Sequence, residues 1–268
     1  MSVKMSVKRI MKKIIIKNKD TEIIIPDGEE VILIDKIAST KKAAKKLLLS
    51  IGKNCLVQYV SILASNIELA AEGQRELIIG VNSRVNYYGA YFGAGLSRLN
   101  FTAHIGPEAE FNSRVFFYQA GAEVLEATDN YIFSAPNSRG RFSVTGLLSG
   151  TASTKYYSDI IIKPVAQGTD SRIDMKLYLL DAGTKGVILP SLKIAANEVK
   201  AGHGASTFQL SPEDLFYLAS RGLSQAQAKA LVIKSLANQF IDGLASEEAQ
   251  KLILKEIAKK ELLVLPKI

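Results

Sequence analysis

Cysteine, histidine and tryptophan are almost absent from this chain of 268 residues, which carries one cysteine, two histidines and no tryptophan. Cys55 alone cannot close an internal disulfide or provide the cysteine set of a structural zinc or iron–sulfur site, and it fits a reducing, cytoplasmic setting. With two histidines, His104 and His203, the chain has too few for most catalytic ligand or acid–base sets. Long apolar runs are missing too. From Met1 to Lys19 the basic residues Lys4, Lys8, Arg9, Lys12, Lys13, Lys17 and Lys19 break up the hydrophobic ones, so no signal-peptide core can be read. Nowhere does the chain approach the roughly 20 apolar residues needed to cross a bilayer, which argues against a membrane partner. There is no nucleotide loop either. Gly89 to Gly95 lacks both the Lys-Ser/Thr ending of a Walker-A motif and the helix that should follow.

The net charge of +8 is concentrated in the N-terminal run and in Lys41, Lys42, Lys45 and Lys46. Base-stacking aromatics are not interleaved with those lysines, so they read as a solvated basic face and not as a nucleic-acid site. Hydrophobic residues at 47% and charged residues at 22% describe a chain that folds.

From Ile14 to about Val199 short runs rich in Val, Ile, Phe and Tyr alternate with Gly, Asn and Asp, the pattern of many strands. Ile23–Ile25, Val31–Ile34, Leu56–Leu63, Leu77–Val81, Arg114–Tyr118 and Ile160–Ile162 are the clearest. Turns fall at Pro26-Asp27-Gly28, Gly52–Cys55, Gly106–Ala109, Gly121–Glu123 and Gly150–Ala152. This loose recurrence fits the stacked coils of a β-helix, although spacing alone also allows a sandwich or barrel.

After Leu210 the pattern becomes helical. Ser211-Pro212-Glu213-Asp214 opens a helix that stops at Arg221-Gly222. Ser224–Gln227 is a capping box leading into a stripe of Ala228, Leu231, Val232, Leu236 and Phe240 that ends near Gly243. Ser246-Glu247-Glu248 begins a third helix with Ala249, Leu252, Ile253 and Ile257 on one face. Lys259 and Lys260 should complement its dipole, and Leu262–Leu265 reads as a last extended segment. The expected division is a core over residues 1–210 and a helical segment over 211–268.

The most informative stretch runs from Pro190 to Gly222. It contains Pro-Ser-Leu-Lys-Ile-Ala-Ala-Asn-Glu-Val-Lys-Ala-Gly-His-Gly-Ala-Ser and, further on, Leu-Phe-Tyr-Leu-Ala-Ser-Arg-Gly-Leu. This resembles the signature of the SufB/SufD family of iron–sulfur cluster assembly scaffolds. Ala135–Ser138, Gly146–Leu148, Ala166–Asp170 and Leu179–Ala182 follow the family's order upstream, and the likeness is specific from about Tyr131 to Phe240. The chain looks shorter than typical members, as if an N-terminal helical region were missing. It is closer to the D-type than to the B-type, because Met175 and Gly204 stand where a B-type cysteine and glutamate are expected.

The resemblance implies a mostly β, right-handed parallel β-helix with a C-terminal helical appendage and a scaffold without catalysis of its own. Its partners would be a SufC-type ABC ATPase, bound through the C-terminal helices, and a SufB-like chain or a second copy. No cofactor would be held stably, and an iron–sulfur cluster would be met transiently at a partner interface. Under this resemblance His203, flanked by Gly202 and Gly204, is the candidate for metal or cluster contact, and Phe216, Tyr217, Ser220, Arg221 and Gly222 belong to or support the ATPase-docking surface. His104 and Cys55 match no motif and read as structural. The alternatives are a β-helix lyase or acyltransferase, whose catalytic face or strict hexapeptide repeat is not seen, and a homodimeric ATPase anchor without cluster chemistry.

Overall fold

The computed structural model describes residues 11–16, 21–37, 45–64, 71–93, 95–209 and 220–264. Among them the strands are β1 (Lys12–Ile16), β2 (Glu22–Ile25), β3 (Glu30–Ile37), β4 (Lys45–Ile51), β5 (Leu56–Ala64), β6 (Ala71–Ile79), β7 (Arg84–Phe92), β8 (Leu96–Ile105), β9 (Glu110–Gln119), β10 (Val124–Phe133), β11 (Arg139–Leu148), β12 (Ser153–Ile162), β13 (Asp170–Leu179), β14 (Lys185–Ile194) and β15 (Lys200–Gln209). Odd-numbered strands form one sheet in the order β1 to β15 and even-numbered strands form a second in the order β14 to β2. Every pairing is parallel and joins strands two apart in sequence. Successive strands therefore swap sheets, and each pair of strands makes one coil of a parallel β-helix. This resolves the choice that spacing left open, against sandwich and barrel.

Strand alternation decides what fills the coil. Along β13, Ser171, Ile173, Met175 and Leu177 point inward and are buried, while Arg172, Asp174 and Lys176 face out. Register stacks like positions on one another, so Tyr59, Tyr87, Ser113, Phe142, Ile173 and His203 form one inward row along the axis. Aromatic rings fill the middle coils. Tyr131 and Phe142 stack across the interior with ring centres 3.8 Å apart, and Phe111 lies 5.9 Å from each.

One corner of each coil is built alike. Gly28, Asn54, Asn82, Glu108, Asn137 and Gly168 all adopt a positive φ, between 53° and 76°. Each donates its backbone N–H to the next coil, as Asn54 does to Val81 O at 2.9 Å and Asn137 to Gln167 O at 2.9 Å. Glycine and asparagine tolerate this left-handed conformation best, and the Asn82 amide also donates to Asn54 Oδ1. Ser83 and Ser138 lock the same corner by donating to the carbonyls of Gly52 and Gly106 one coil back. The family-like motifs Ala135–Ser138 and Ala166–Asp170 are corners of this kind.

Two helices follow, α1 (Gln225–Ile241) and α2 (Glu247–Val264). The expected capping box is present: the Ser224 hydroxyl accepts from Gln227 N and the Gln227 side chain accepts from Ser224 N. Gly243 has φ 82° just past the end of α1. The helices lie on the outer face of the odd-numbered sheet. Ile233, Ala237, Phe240, Leu244, Ala249, Ile253 and Ile257 form a second core with Val60, Ile62, Tyr88, Phe92, Phe116 and Leu147. The Phe240 ring stacks 5.4 Å from Phe116. That cover explains why β5 is buried on both faces.

Three expectations for the tail change. Leu231 is 54% exposed and Ile233 takes the buried position, because the sheet meets α1 along a stripe rotated from the one read in sequence. Residues Leu262–Val264 continue α2 and are not extended. Lys260 turns inward and pairs with Glu123 instead of capping the helix dipole. The first expected helix, opening at Ser211, lies outside the described residues but for its end.

Candidate functional site at the open end of the coil

Among the described residues β14 and β15 are the last strands of their sheets, and each has one edge without a neighbouring strand. His203 sits in the middle of β15, paired on its inner side with Ile173. Its side chain continues the inward row, and no further coil covers it among the described residues, where it is exposed. Ile188, in β14, is likewise only partly covered, and Ile194 is exposed. Among the described residues the end of the β-helix is therefore an apolar cross-section with an imidazole on it.

Outside this cross-section, Arg172 and Asp174 form a two-pronged pair, Nε to Oδ2 at 2.7 Å and Nη2 to Oδ1 at 2.8 Å. The pair leans over the glycines of β15: a Cβ on Gly204 would stand 2.8 Å from Asp174 Oδ1, and one on Gly202 would stand 3.4 Å from Arg172 Nη1. A polar groove of about 490 Å³ runs back from there along the outer face, lined by Asn86, Asn112, Arg114, Arg141 and Ser143. Phe208 stacks on Tyr178 at 4.9 Å and is 44% exposed at the same end.

The sequence-derived sites fall in two places. His203 is at the coil end. Ser220, Arg221 and Gly222 are exposed immediately before α1, with Gly222 at φ 85°; Phe216 and Tyr217 lie outside the described residues. His104 is on the outer face of the even-numbered sheet, its Nε2 3.2 Å from Glu76, far from either group in the strand order. Cys55 is buried at a coil corner with its thiol 3.1 Å from Pro26 O, as a core residue. Met175 is also buried, inside β13. Among the described residues no three His, Cys, Asp or Glu side chains gather to hold a metal ion. A cluster contact at His203 therefore needs ligands from elsewhere.

Charged groups that the sequence reading passed over hold the molecule together. Inside the coil, Asp35 accepts from Arg75 Nε at 2.5 Å and from the Tyr59 hydroxyl at 2.9 Å. Asp129 accepts from Tyr156 at 2.7 Å and Tyr131 at 3.1 Å, and burial pushes its pKa up to about 7. Between coil and helices, the Lys260 ammonium pairs with Glu123 and donates to Gly93 O at 2.5 Å. Burial lowers the Lys260 pKa and raises that of Glu123. Lys229 pairs with Asp181, and Arg114 donates to Asp242 O at 2.9 Å. Among the described residues no helix is long and apolar enough to cross a membrane.

The described residues form a parallel β-helix with a helical layer on the outer face of one sheet. The comparisons identify which kind. The SufBD core domain of the SUF system for FeS cluster assembly matches residues 10–236, and the chain belongs to that family. An iron–sulfur cluster assembly SufBD family protein of Mycobacterium leprae is 23% identical over 241 residues, covering 86% of this chain and 61% of that protein. A protein of the same description from Mycobacterium bovis is 36% identical over 102 residues, 37% of this chain and 25% of its own. One from Synechocystis is 27% identical over 168 residues, 62% of this chain and 37% of its own. The chain spans less than two thirds of the length of these relatives.

Proposed function

We propose that this chain is a scaffold component of a SUF-type iron–sulfur cluster assembly complex and performs no catalysis of its own. It pairs through the open end of its β-helix with a second copy or a SufB-like chain, and it binds a SufC-type ABC ATPase through the segment 211–268. The setting is the cytoplasm, and neither nucleic acid nor membrane is a partner. The observation that carries the reading is the position of His203: an exposed imidazole in β15, the edge strand at the end of the β-helix among the described residues. Paired chains would bury that end and bring further ligands to the imidazole, so that iron or a nascent cluster, as cargo, meets His203 at the joint.

The ATPase would meet Arg221 and its neighbours, which stand at the exposed start of the helical layer. Hydrolysis by that partner supplies the work, which agrees with a chain that has no nucleotide loop. A second reading, a paired ATPase anchor without cluster chemistry, is favoured by Met175 at the place of the B-type cysteine. His203→Ala separates the two. The variant should fold and pair normally while cells that depend on this chain lose most of their cluster assembly, read as activity of a cluster-dependent enzyme. Full assembly with His203→Ala would remove the ligand role and leave the anchor.

A further inference from the structure

Where the helical layer meets the odd-numbered sheet, a groove of about 410 Å³ stays open beside the end of α1. Its floor is the outward face of three neighbouring strands. Ser143 of β11 is in register with Arg114 of β9, and Thr145, two residues on, is in register with Lys176 of β13. Neighbouring strands stand about 4.8 Å apart and successive outward residues of one strand about 6.8 Å apart, so these four side chains enclose one small patch of the floor. All four are hydrogen-bond donors. Ser143 and Thr145 are half-buried, and among the described residues neither their hydroxyls nor the exposed Lys176 ammonium has a hydrogen-bond partner. Arg114 gives Nη1 to Asp242 O at 2.9 Å and keeps its other N–H groups for a ligand.

Donors that rise from one flat face favour one shape of ion. A tetrahedral oxyanion sets three oxygens down on them and turns the fourth outward, whereas a planar carboxylate has only two oxygens to offer. Room for whatever the fourth oxygen carries lies next door. The polar groove of about 490 Å³ shares Arg114, Ser143 and Asp174 with this one and leads away along Asn112 and Asn86, whose amides can meet hydroxyl groups. Two carboxylates also line the site, Asp174 and Asp242. Both oxygens of Asp174 are held by Arg172, at 2.7 and 2.8 Å, so its charge is already met. Asp242 has no such partner among the described residues and works against the anion.

We propose that this groove binds the phosphate group of a small phosphate ester, with Ser143, Thr145 and Lys176 donating to its oxygens, Arg114 closing one side and the organic part lying along Asn112 and Asn86. The site is separate from the open end of the coil and does not rest on the scaffold reading. One guanidinium then holds both the ligand and the turn between α1 and α2.

Amide NMR titration of the full isotope-labelled chain, in phosphate-free buffer at fixed ionic strength, tests it with glycerol phosphate, inorganic phosphate and acetate as probes. Both phosphates should give saturable shifts at Ser143, Thr145 and Lys176 in the millimolar range or tighter, and acetate none. Lys176→Met and the double variant S143A/T145V should each weaken glycerol phosphate binding roughly tenfold, the loss of charge-assisted or paired hydroxyl donors, while Asp242→Asn should strengthen it. Unchanged amide spectra away from the groove establish that the variants fold. Saturable binding of inorganic phosphate without glycerol phosphate overturns the ester assignment. Shifts that do not saturate, that acetate reproduces or that the variants leave unaltered overturn the site.

Discussion

Asp35→Ala should lower the unfolding free energy by roughly 3–5 kcal/mol, the cost of breaking a buried ion pair from one side. Asp35 is 2% exposed and Arg75 8%, on facing sheets of the β-helix interior. Removing the carboxylate takes two acceptors from the buried guanidinium, which keeps its bond to Gln74 O, and also takes the acceptor from the Tyr59 hydroxyl. Water cannot easily replace it within a packed coil. The loss should be read from urea unfolding followed by far-ultraviolet circular dichroism. A variant that removes both charges, D35L/R75M, should recover most of the stability, since well-packed apolar replacements of an ion pair are often neutral or better. A loss below about 1 kcal/mol in Asp35→Ala would mean that the pair is not closed in the folded chain.

Asp129→Asn should become more favourable to stability, relative to wild type, as pH rises. Burial raises the Asp129 pKa to about 7 from its ordinary value near 3.8, against the opposing hydrogen bonds from Tyr156 and Tyr131. Between those two values the unfolded carboxyl is ionised while the folded one keeps its proton. The unfolded state then binds fewer protons, so stability falls as pH rises through this window and levels off above the folded value. Each tenfold difference in proton affinity between the folded and unfolded chain corresponds to about 1.4 kcal/mol, so the decline amounts to several kcal/mol at most. Glu123, whose pKa burial also raises, contributes in the same direction. Asp170 beside Arg141, Glu76 beside Lys46 and Glu248 beside Lys13 have lowered values and lose their contribution at more acid pH. Asparagine keeps an acceptor for the tyrosines and has no charge to bury. Relative to wild type, Asp129→Asn should therefore gain about 2–4 kcal/mol between pH 5 and pH 8 in urea unfolding. Parallel pH profiles would contradict an ionisable, buried Asp129.

Much of the architecture was legible because β-helix coils repeat local rules. Alternation marked the strands, and Gly and Asn at positive φ marked the corners, as at Asn54 and Gly121. Ser224 and Gln227 announced α1 through side chains that satisfy its own first turn, a local event that needs no tertiary knowledge. What escaped depends on contacts across coils. Asp35, Arg75 and Asp129 are single charges on the inward parity of apolar strands, a signal present in the sequence but unreadable until the register shows which face is inside. Leu231 and Ile233 exchange roles because both fit an amphipathic stripe and only the sheet beneath α1 selects between them. Lys260 reads as a dipole partner from its place near a helix end, yet Glu123 and Gly93, far away in sequence, draw it inward. His203 stood out from its motif as a candidate, while its place on the last strand among the described residues came only from the strand order.

The scaffold reading meets its most direct test in size-exclusion chromatography with light scattering on this protein mixed with the SufC-type ATPase from the same source, wild type beside Arg221→Glu. The account predicts a stable complex with the wild-type chain and a clearly weakened one with the variant, its fold checked by circular dichroism. A well-folded wild-type chain that elutes apart from the ATPase at every concentration would contradict the account.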